Sequence, residues 1–344
     1  MIDLNLLIRE NVRELKPYSS ARDEFTGKAE VYLDANENPF NTGINRYPDP
    51  YQHALKSKIA EIKGIPVENM LLGNGSDEVL DLLFRAFCNP KSDNCVYTRP
   101  SYGMYRVLSG INDVMERAVM LNEDFDLSVD ALISRVDTNT KLIFLCSPNN
   151  PSGNDLSREK ILQLLSEVDC LVVVDEAYID FSTQKSLVCE LNQYKNLIVC
   201  QTLSKAWGMA GIRLGMCFAS EAIINVLNKI KPPYNINELT QSMAIKMLSD
   251  TNLFEKNLKT ILSEKTTLES NLKTIGLVQK IFPSQANFLL VRFDRSDELF
   301  HYLLKLGIIV RKRSSEPMCD GCLRLTVGLP EENEKLIKAL KAFK

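Results

Sequence analysis

Three short apolar runs, each ending in polar residues, set the strongest limit on how this chain can fold. They are "KLIFLCSP" (141–148), "CLVVVDE" (170–176) and "NLIVCQT" (196–202). A strand with water on one face alternates apolar and polar side chains. A near-continuous Val/Ile/Leu run is what a strand buried on both faces shows. Between the first two lies "LSREKILQLLSEV" (156–168), whose Leu156, Ile161, Leu164, Leu165 and Val168 fall on one helical face. Alternating strand and helix signals predict an α/β domain with a mostly parallel, doubly wound sheet. In such sheets ligands sit at the carboxyl ends of the strands, so the polar residues ending these runs are expected to share one crevice.

At 344 residues the chain is long enough for about two domains. Residues 1–30 read as an N-terminal arm that packs with the smaller unit or a dimer partner. Residues 31–245 form the large ligand-binding unit. From about 250 the pattern changes to a long amphipathic helix, then short strands with covering helices, so 246–344 are expected to form a smaller α+β C-terminal unit. Lys+Arg total 41 against 44 Asp+Glu, a formal charge of -3, which offers no basic surface for nucleic acid or an anionic membrane. No apolar run approaches the roughly 18–20 residues a bilayer span needs. The nine cysteines are scattered without regular spacing through apolar runs, the pattern of buried free thiols. The opening residues lack the features of a secretory leader. A cytoplasmic protein is expected.

The run ends carry the chemistry. "SPNNPSG" supplies Asn150, "DEAY" supplies Asp175 and Tyr178, and "TLSKAWGMAGIRLG" supplies Ser204, Lys205 and Arg213. A lysine beside an aspartate can be a buried ion pair, but that leaves the other four groups unexplained. Taken together they suit an aldehyde cofactor. A lysine amine forms a Schiff base with pyridoxal phosphate, whose ring nitrogen stays protonated only beside a carboxylate such as Asp175. Asn150 and Tyr178 can hydrogen-bond the ring's phenolate oxygen. Arg213 and Ser204 suit its phosphate.

A further phosphate contact is expected in "LLGNGSDEVLDLLFRAF" (71–87), where Gly73 and Gly75 precede Ser76 and Asp77 at the start of a helical pattern. A glycine turn opening a helix offers free backbone N–H groups to an anion. Read alone, Ser76 or Asp77 is simply a helix cap; beside the Lys205 cluster the phosphate reading is preferred. Tyr102 in "RPSYGMY" can stack on a flat ring or pack in a core. The two histidines, His53 and His301, both sit in helical patterns, which argues against a histidine-based triad or metal site, and no metal is expected. "CDGC" (319–322) is a lone pair of cysteines and reads as a tight turn rather than a zinc site.

With these residues assembled, the chain resembles the fold-type-I pyridoxal-phosphate aminotransferases, and among them the histidinol-phosphate aminotransferase family. "KPYSSAR", "LDANENP", "RYPDP", "GNGSDE", "PSYGMY", "SPNNPSG", "VVVDEAYIDF", "TLSKAWGMAGIRLG" and "CLRLTVG" stand in that family's order. One departure is Ser147, where some relatives carry Asn; it leaves the Asn150 position intact. The resemblance implies an aspartate-aminotransferase-like fold and makes Lys205 the Schiff-base lysine and proton carrier. Asp175 would pair with the ring nitrogen, Asn150 and Tyr178 with the phenolate oxygen, and Tyr102 would stack on the ring. Ser76, Asp77, Ser204 and Arg213 would surround the phosphate, with Tyr47 reaching in from the other subunit of a homodimer. Arg324 and Arg311 would hold substrate anions, with Tyr18 and Asn36 lining the same pocket.

The implied reaction is transamination between L-histidinol phosphate and 2-oxoglutarate, giving imidazole-acetol phosphate and L-glutamate in L-histidine biosynthesis. An aromatic amino-acid aminotransferase and a threonine-phosphate decarboxylase on the same fold stay open as alternatives. A non-catalytic, cofactor-binding regulator is more remote, because no DNA-reading extension accompanies the intact catalytic set.

Overall fold

The computed structural model describes residues 3–17, 25 and 29–343. Seven strands, β1 (Met70–Asn74), β2 (Asn94–Arg99), β3 (Met115–Met120), β4 (Thr140–Cys146), β5 (Leu171–Asp175), β6 (Leu197–Thr202) and β7 (Leu214–Ala219), form one sheet. Their order is β1-β7-β6-β5-β4-β2-β3. β6, β5, β4, β2 and β3 pair in parallel, while β7 is antiparallel to both its neighbours, β1 and β6. β7 alone therefore runs against the rest. The three apolar runs are β4, β5 and β6, within two residues of their expected bounds.

Their burial explains the pattern. Successive strand residues point to opposite faces. Ile143, Leu145, Val172, Val174, Leu197 and Val199 join one core, while Leu142, Phe144, Leu171, Val173, Ile198 and Cys200 join the other. Helices His53–Lys63, Arg158–Glu167 and Glu238–Leu248 cover the first face with Leu55, Ile59, Ile161, Leu164 and Leu248. Helices Gly75–Phe87, Met104–Ile111 and Glu221–Ile230 cover the second with Val79, Leu83, Tyr105, Leu108, Ile223 and Leu227. Phe84 and Phe87 are fully buried there, each burial being worth about 1.5–3 kcal/mol.

The helix Thr251–Leu272 leads to a second sheet of β8 (Val278–Ile281), β9 (Phe288–Phe293), β10 (Arg311–Lys312) and β11 (Cys322–Thr326), ordered β10-β11-β9-β8 and antiparallel throughout. Leu268, Leu289, Val291, Leu323, Leu325, Leu336 and Leu340 form its own core. The expected boundary at 245 falls inside the helix Glu238–Leu248, and the first break in that helix is at Ser249–Asp250. The arm differs from expectation over its described part. Leu7 and Val12 are buried with Ile223 and Val226 of the large unit, and Arg9 N donates to Ala86 O at 3.0 Å. Two apolar side chains found a face already exposed by helices Gly75–Phe87 and Glu221–Ile230, so this part packs on the large unit and not on the smaller one.

Where β1 meets β7 the backbones come unusually close. Gly73 and Gly215 are directly paired, and a Cβ on Gly215 would overlap the backbone of Gly75 and Ser76. Gly75 itself has φ +73°, and a Cβ there would lie 2.6 Å from Arg213 Nη2. Gly215→Ala is therefore expected to lose about 1–3 kcal/mol or more of stability through overpacking. Urea unfolding measures it, and a variant as stable as the parent would show that β1 and β7 do not need this approach.

Candidate active site

Because β7 runs against the other strands, its amino end lies at the same sheet edge as the carboxyl ends of β1, β2, β4, β5 and β6. That edge holds a cavity of about 490 Å³, part of it open to solvent. Nine of the ten residues expected around the cofactor line it: Ser76, Asp77, Tyr102, Asn150, Asp175, Tyr178, Ser204, Lys205 and Arg213. Each follows from strand order. Ser76 and Asp77 come after β1, Tyr102 after β2, Asn150 after β4, Asp175 and Tyr178 at the end of β5, Ser204 and Lys205 after β6, and Arg213 just before β7.

Asp175 is 2% exposed at the tip of the middle strand. Tyr105 Oη donates to its Oδ2 at 3.1 Å and Ala177 N donates to its Oδ1 at 3.1 Å. Burial nevertheless pushes its carboxyl up to about 6, with Tyr105 and the Ala177 N–H acting the other way. Lys205 lines the cavity with part of its surface exposed, and its ammonium sits 5.7 Å from the centre of the Tyr178 ring. Burial, then the charge of Arg324, hold its proton affinity below the ordinary lysine range, while Asp175 partly restores it. The result is an amine nearer neutrality than a surface lysine.

At the other end, Arg213 takes a left-handed backbone, φ +54°, and its Nη2 lies 3.8 Å from Asp77 Oδ2. Asp77 Oδ1 in turn accepts from Tyr102 Oη at 3.0 Å. Thr202 Oγ1 donates to Ser204 Oγ at 3.0 Å. The helix cap is Asn74, with no side-chain capping bond; Glu78 accepts from Asn74 N at 2.5 Å instead. Ser76 and Asp77 are thus first-turn residues rather than caps, beside N–H groups that the helix cannot use internally.

Above the cavity, Asn150 Oδ1 accepts from Arg324 Nη1 at 2.6 Å and from Arg313 Nη2 at 3.4 Å. Asn150 Nδ2 donates to Tyr178 Oη at 3.5 Å. One amide thereby joins the cofactor-side phenol to two guanidiniums from the C-terminal unit. Arg311 does not line the cavity; it is exposed on β10, directly opposite Arg324. Asn36 and Tyr47 also stand apart from this chain's Lys205 cavity. Both line a different cavity with Asn237 and Leu239, where Tyr47 stacks on Tyr234 at 4.5 Å. Asn36 and Tyr47 both belong to the stretch 29–52, which has no helix or strand. Tyr18 lies outside the described residues.

Three residues that motif reading does not single out stand in the site. Tyr105, in the first turn of helix Met104–Ile111, holds Asp175. Thr202, the last residue of β6, positions Ser204. Arg313, two places after Arg311, is the one that reaches Asn150. Neither histidine is near: His53 pairs with Asp49 at 2.8 Å on the surface. Among the described residues no group of His, Cys, Asp and Glu could hold a metal ion, and Cys319 and Cys322 are free and flank a turn.

The donor set fits pyridoxal phosphate. A fully buried carboxylate with no cation bonded to it, a lysine amine, two neutral donors and a serine-arginine-helix cradle lie in one cavity. The cradle is closely built, because a Cβ at Gly75 or Gly215 would intrude on it.

Comparison with known proteins agrees. The family model for class I and II aminotransferases matches residues 26–340. A histidinol-phosphate aminotransferase of Parabacteroides distasonis is 53% identical over all of both chains. That of Flavobacterium johnsoniae is 52% identical over 98% of each. The crystal structure of the histidinol-phosphate aminotransferase from Clostridium acetobutylicum superposes with a TM-score of 0.80 at 27% identity, covering 87% of this chain and 90% of that one. The chain belongs to the pyridoxal-phosphate-dependent class I and II aminotransferases and, within them, to the histidinol-phosphate aminotransferase family.

Proposed function

We propose that this chain moves an amino group between L-histidinol phosphate and 2-oxoglutarate, giving imidazole-acetol phosphate and L-glutamate for L-histidine biosynthesis. The observation that carries the substrate reading is a cluster of like charges beside the Lys205 cavity. Arg311 and Arg324 face each other across β10 and β11, and Arg313 shares Asn150 Oδ1 with Arg324. Like charges directly opposite destabilise a sheet. Burial and the neighbouring arginines together hold Arg313 and Arg324 below the ordinary guanidinium range. A dianionic phosphate in one half-reaction and the carboxylates of 2-oxoglutarate in the other would relieve that repulsion.

When bound, pyridoxal phosphate supplies an aldehyde and an electron-withdrawing ring. The chain's own residues do the rest. Ser76, Ser204 and Arg213, with the first turn of helix Gly75–Phe87, would hold the phosphate. Asp77 orients Arg213 and Tyr102, and Tyr102 would pack against the ring. Asp175 would hold a protonated ring nitrogen, and Asn150 and Tyr178 would donate to the ring oxygen. Lys205 Nζ takes the proton from the substrate's amino-bearing carbon, a task that suits its lowered proton affinity.

A homodimer completes the reading. Leu33 is 91% exposed, Phe40 77%, Ile44 62% and Leu239 64%, and Ile44 and Leu239 line the same cavity as Tyr47, which suits a surface that another chain covers. A second copy would cover it and bring Tyr47 to the neighbouring cavity. The cytoplasm is the proposed compartment, consistent with nine unpaired cysteines and with no helix long and apolar enough to cross a membrane among the described residues. Sedimentation should give twice the chain mass, and Leu33→Asp with Phe40→Asp should shift it toward the monomer.

The first test mixes the cofactor-loaded protein separately with L-histidinol phosphate, L-phenylalanine and L-threonine phosphate and follows the cofactor absorbance. Rapid conversion is expected with histidinol phosphate and not with the other two. Preference for phenylalanine, or release of CO₂ from threonine phosphate, would replace the substrate assignment. Lys205→Ala should abolish turnover.

Asp175 also makes a stability prediction. Its folded carboxyl is raised from 3.8 to about 6, so the folded state binds the extra proton in that window. Stability from this group is present below the lower value and is lost as pH rises through about 6. In the cofactor-free protein, Asp175→Asn should therefore stabilise by roughly 1–3 kcal/mol at pH 8 and much less near pH 4. Urea unfolding across that range checks it, and a penalty that did not change with pH would show that the carboxylate is not strained.

A further inference from the structure

A separate cavity of about 670 Å³ lies between helix His53–Lys63, the turn Val67–Asn69 and helix Glu221–Ile230. It shares no lining residue with the Lys205 cavity. Lys56 lines it, is only 6% exposed, and among the described residues makes no hydrogen bond or ion pair through its ammonium. Asn228 lines the same cavity, and its buried Oδ1 has no partner.

The surrounding charges make this arrangement unusual. Lys231, 7% exposed, is the nearby second ammonium, and it donates to Pro50 O at 3.0 Å, Pro232 O at 3.2 Å and Asn235 Oδ1 at 3.3 Å. Asp49 is the nearby acid, but it already accepts from His53 N at 2.6 Å, Tyr51 N at 2.9 Å and His53 Nδ1 at 2.8 Å. Glu68 lies at the exposed rim and forms no ion pair with Lys56. A buried ammonium is costly unless an anion or several acceptors face it. Here the Pro50 and Pro232 carbonyls are taken by Lys231, Asp49 is engaged, and a second positive charge adds repulsion. Burial and Lys231 accordingly hold the Lys56 amine down to about 8.

We propose that this cavity binds a small oxyanion, a carboxylate or a phosphate, with Lys56 as its ammonium partner and Asn228 as a second polar contact. An amide turned about its last bond presents Nδ2 in place of Oδ1, so Asn228 can donate to an oxygen. Val67, Met70 and Ile224 supply apolar wall for the body of an organic anion.

The test is trace acetylation of the cofactor-loaded protein at pH 8, read lysine by lysine by mass spectrometry, in chloride, acetate or inorganic phosphate at matched ionic strength. Lys56 should label readily in chloride. An anion at roughly ten times its dissociation constant should slow that labelling about tenfold and leave exposed Lys195 and Lys259 unchanged. Protection by acetate alone marks a carboxylate site, and by phosphate alone a phosphate site. Equal labelling in all three salts, or no labelling of Lys56 in chloride, overturns the proposal. Lys56→Met gives a second reading. It should fold at least as well as the parent in chloride and lose the rise in melting temperature that the anion gives the parent. An equal rise in both proteins would place the anion elsewhere.

Discussion

Asp175 stands at the end of a strand whose five residues are all buried, in the fourth position of a seven-stranded sheet, where an ionised carboxylate is hardest to solvate. What makes the position tolerable is limited and specific: one phenol, one backbone N–H, and the nearby charge of Lys205. The phenol is itself fixed, because the Tyr105 ring is stacked on Phe144 at 5.0 Å and fully buried. The strand cannot yield either, being paired on one side at Cys146 and on the other at Cys200. The carboxylate is thus held rigidly in a place it would leave if it could. That is the form of pre-organisation that favours a positively charged ring over water.

The second constraint is the reversed strand β7. In a fully parallel sheet the segment after β6 would cross over and return at the far edge. Here a short loop turns back at once, so Arg213 comes to the same edge as Lys205. The connection ends in a left-handed Arg213, and where β7 then meets β1 neither Gly75 nor Gly215 has room for a Cβ. Strain of this kind persists where surrounding structure over-determines it. The phosphate cradle and the packing of β1 against β7 are therefore one structural feature.

Much of this was readable because burial on both faces leaves an unmistakable trace. β4, β5 and β6 announced themselves, and the rule about carboxyl ends then gathered Asn150, Asp175, Tyr178, Ser204 and Lys205. Arg213 was readable as a residue type near the lysine, but not as the amino end of an antiparallel strand, since a buried run carries no sign of direction. Arg313 was missed for a related reason. Its place depends on the pairing of β10, two residues long, with β11, and two residues give no periodicity. Tyr105 was hidden by its neighbour Tyr102, which stands in the loop before the helix while Tyr105 is inside it. Asn36 and Tyr47 lie in a stretch without regular structure, where sequence patterns constrain position least.

Lys205 and Lys56 show why a depressed lysine is not by itself a catalytic one. Burial is the first cause in both, and a neighbouring cation is the second: Arg324 for Lys205 and Lys231 for Lys56. The difference lies in what opposes it. Lys205 has two acids, Asp175 and Asp77, acting to restore its charge, although Asp77 also pairs with Arg213 at 3.8 Å. Its protonation is balanced, so it can give and take a proton as the surroundings change. Lys56 has only Asp49, whose oxygens are already engaged by His53 and Tyr51. Its burial is relieved by losing a proton or by acquiring a negative neighbour. The same physics therefore yields a proton carrier in one cavity and an anion partner in the other, and the deciding factor is how many carboxylates act on the amine: two at Lys205 and one at Lys56.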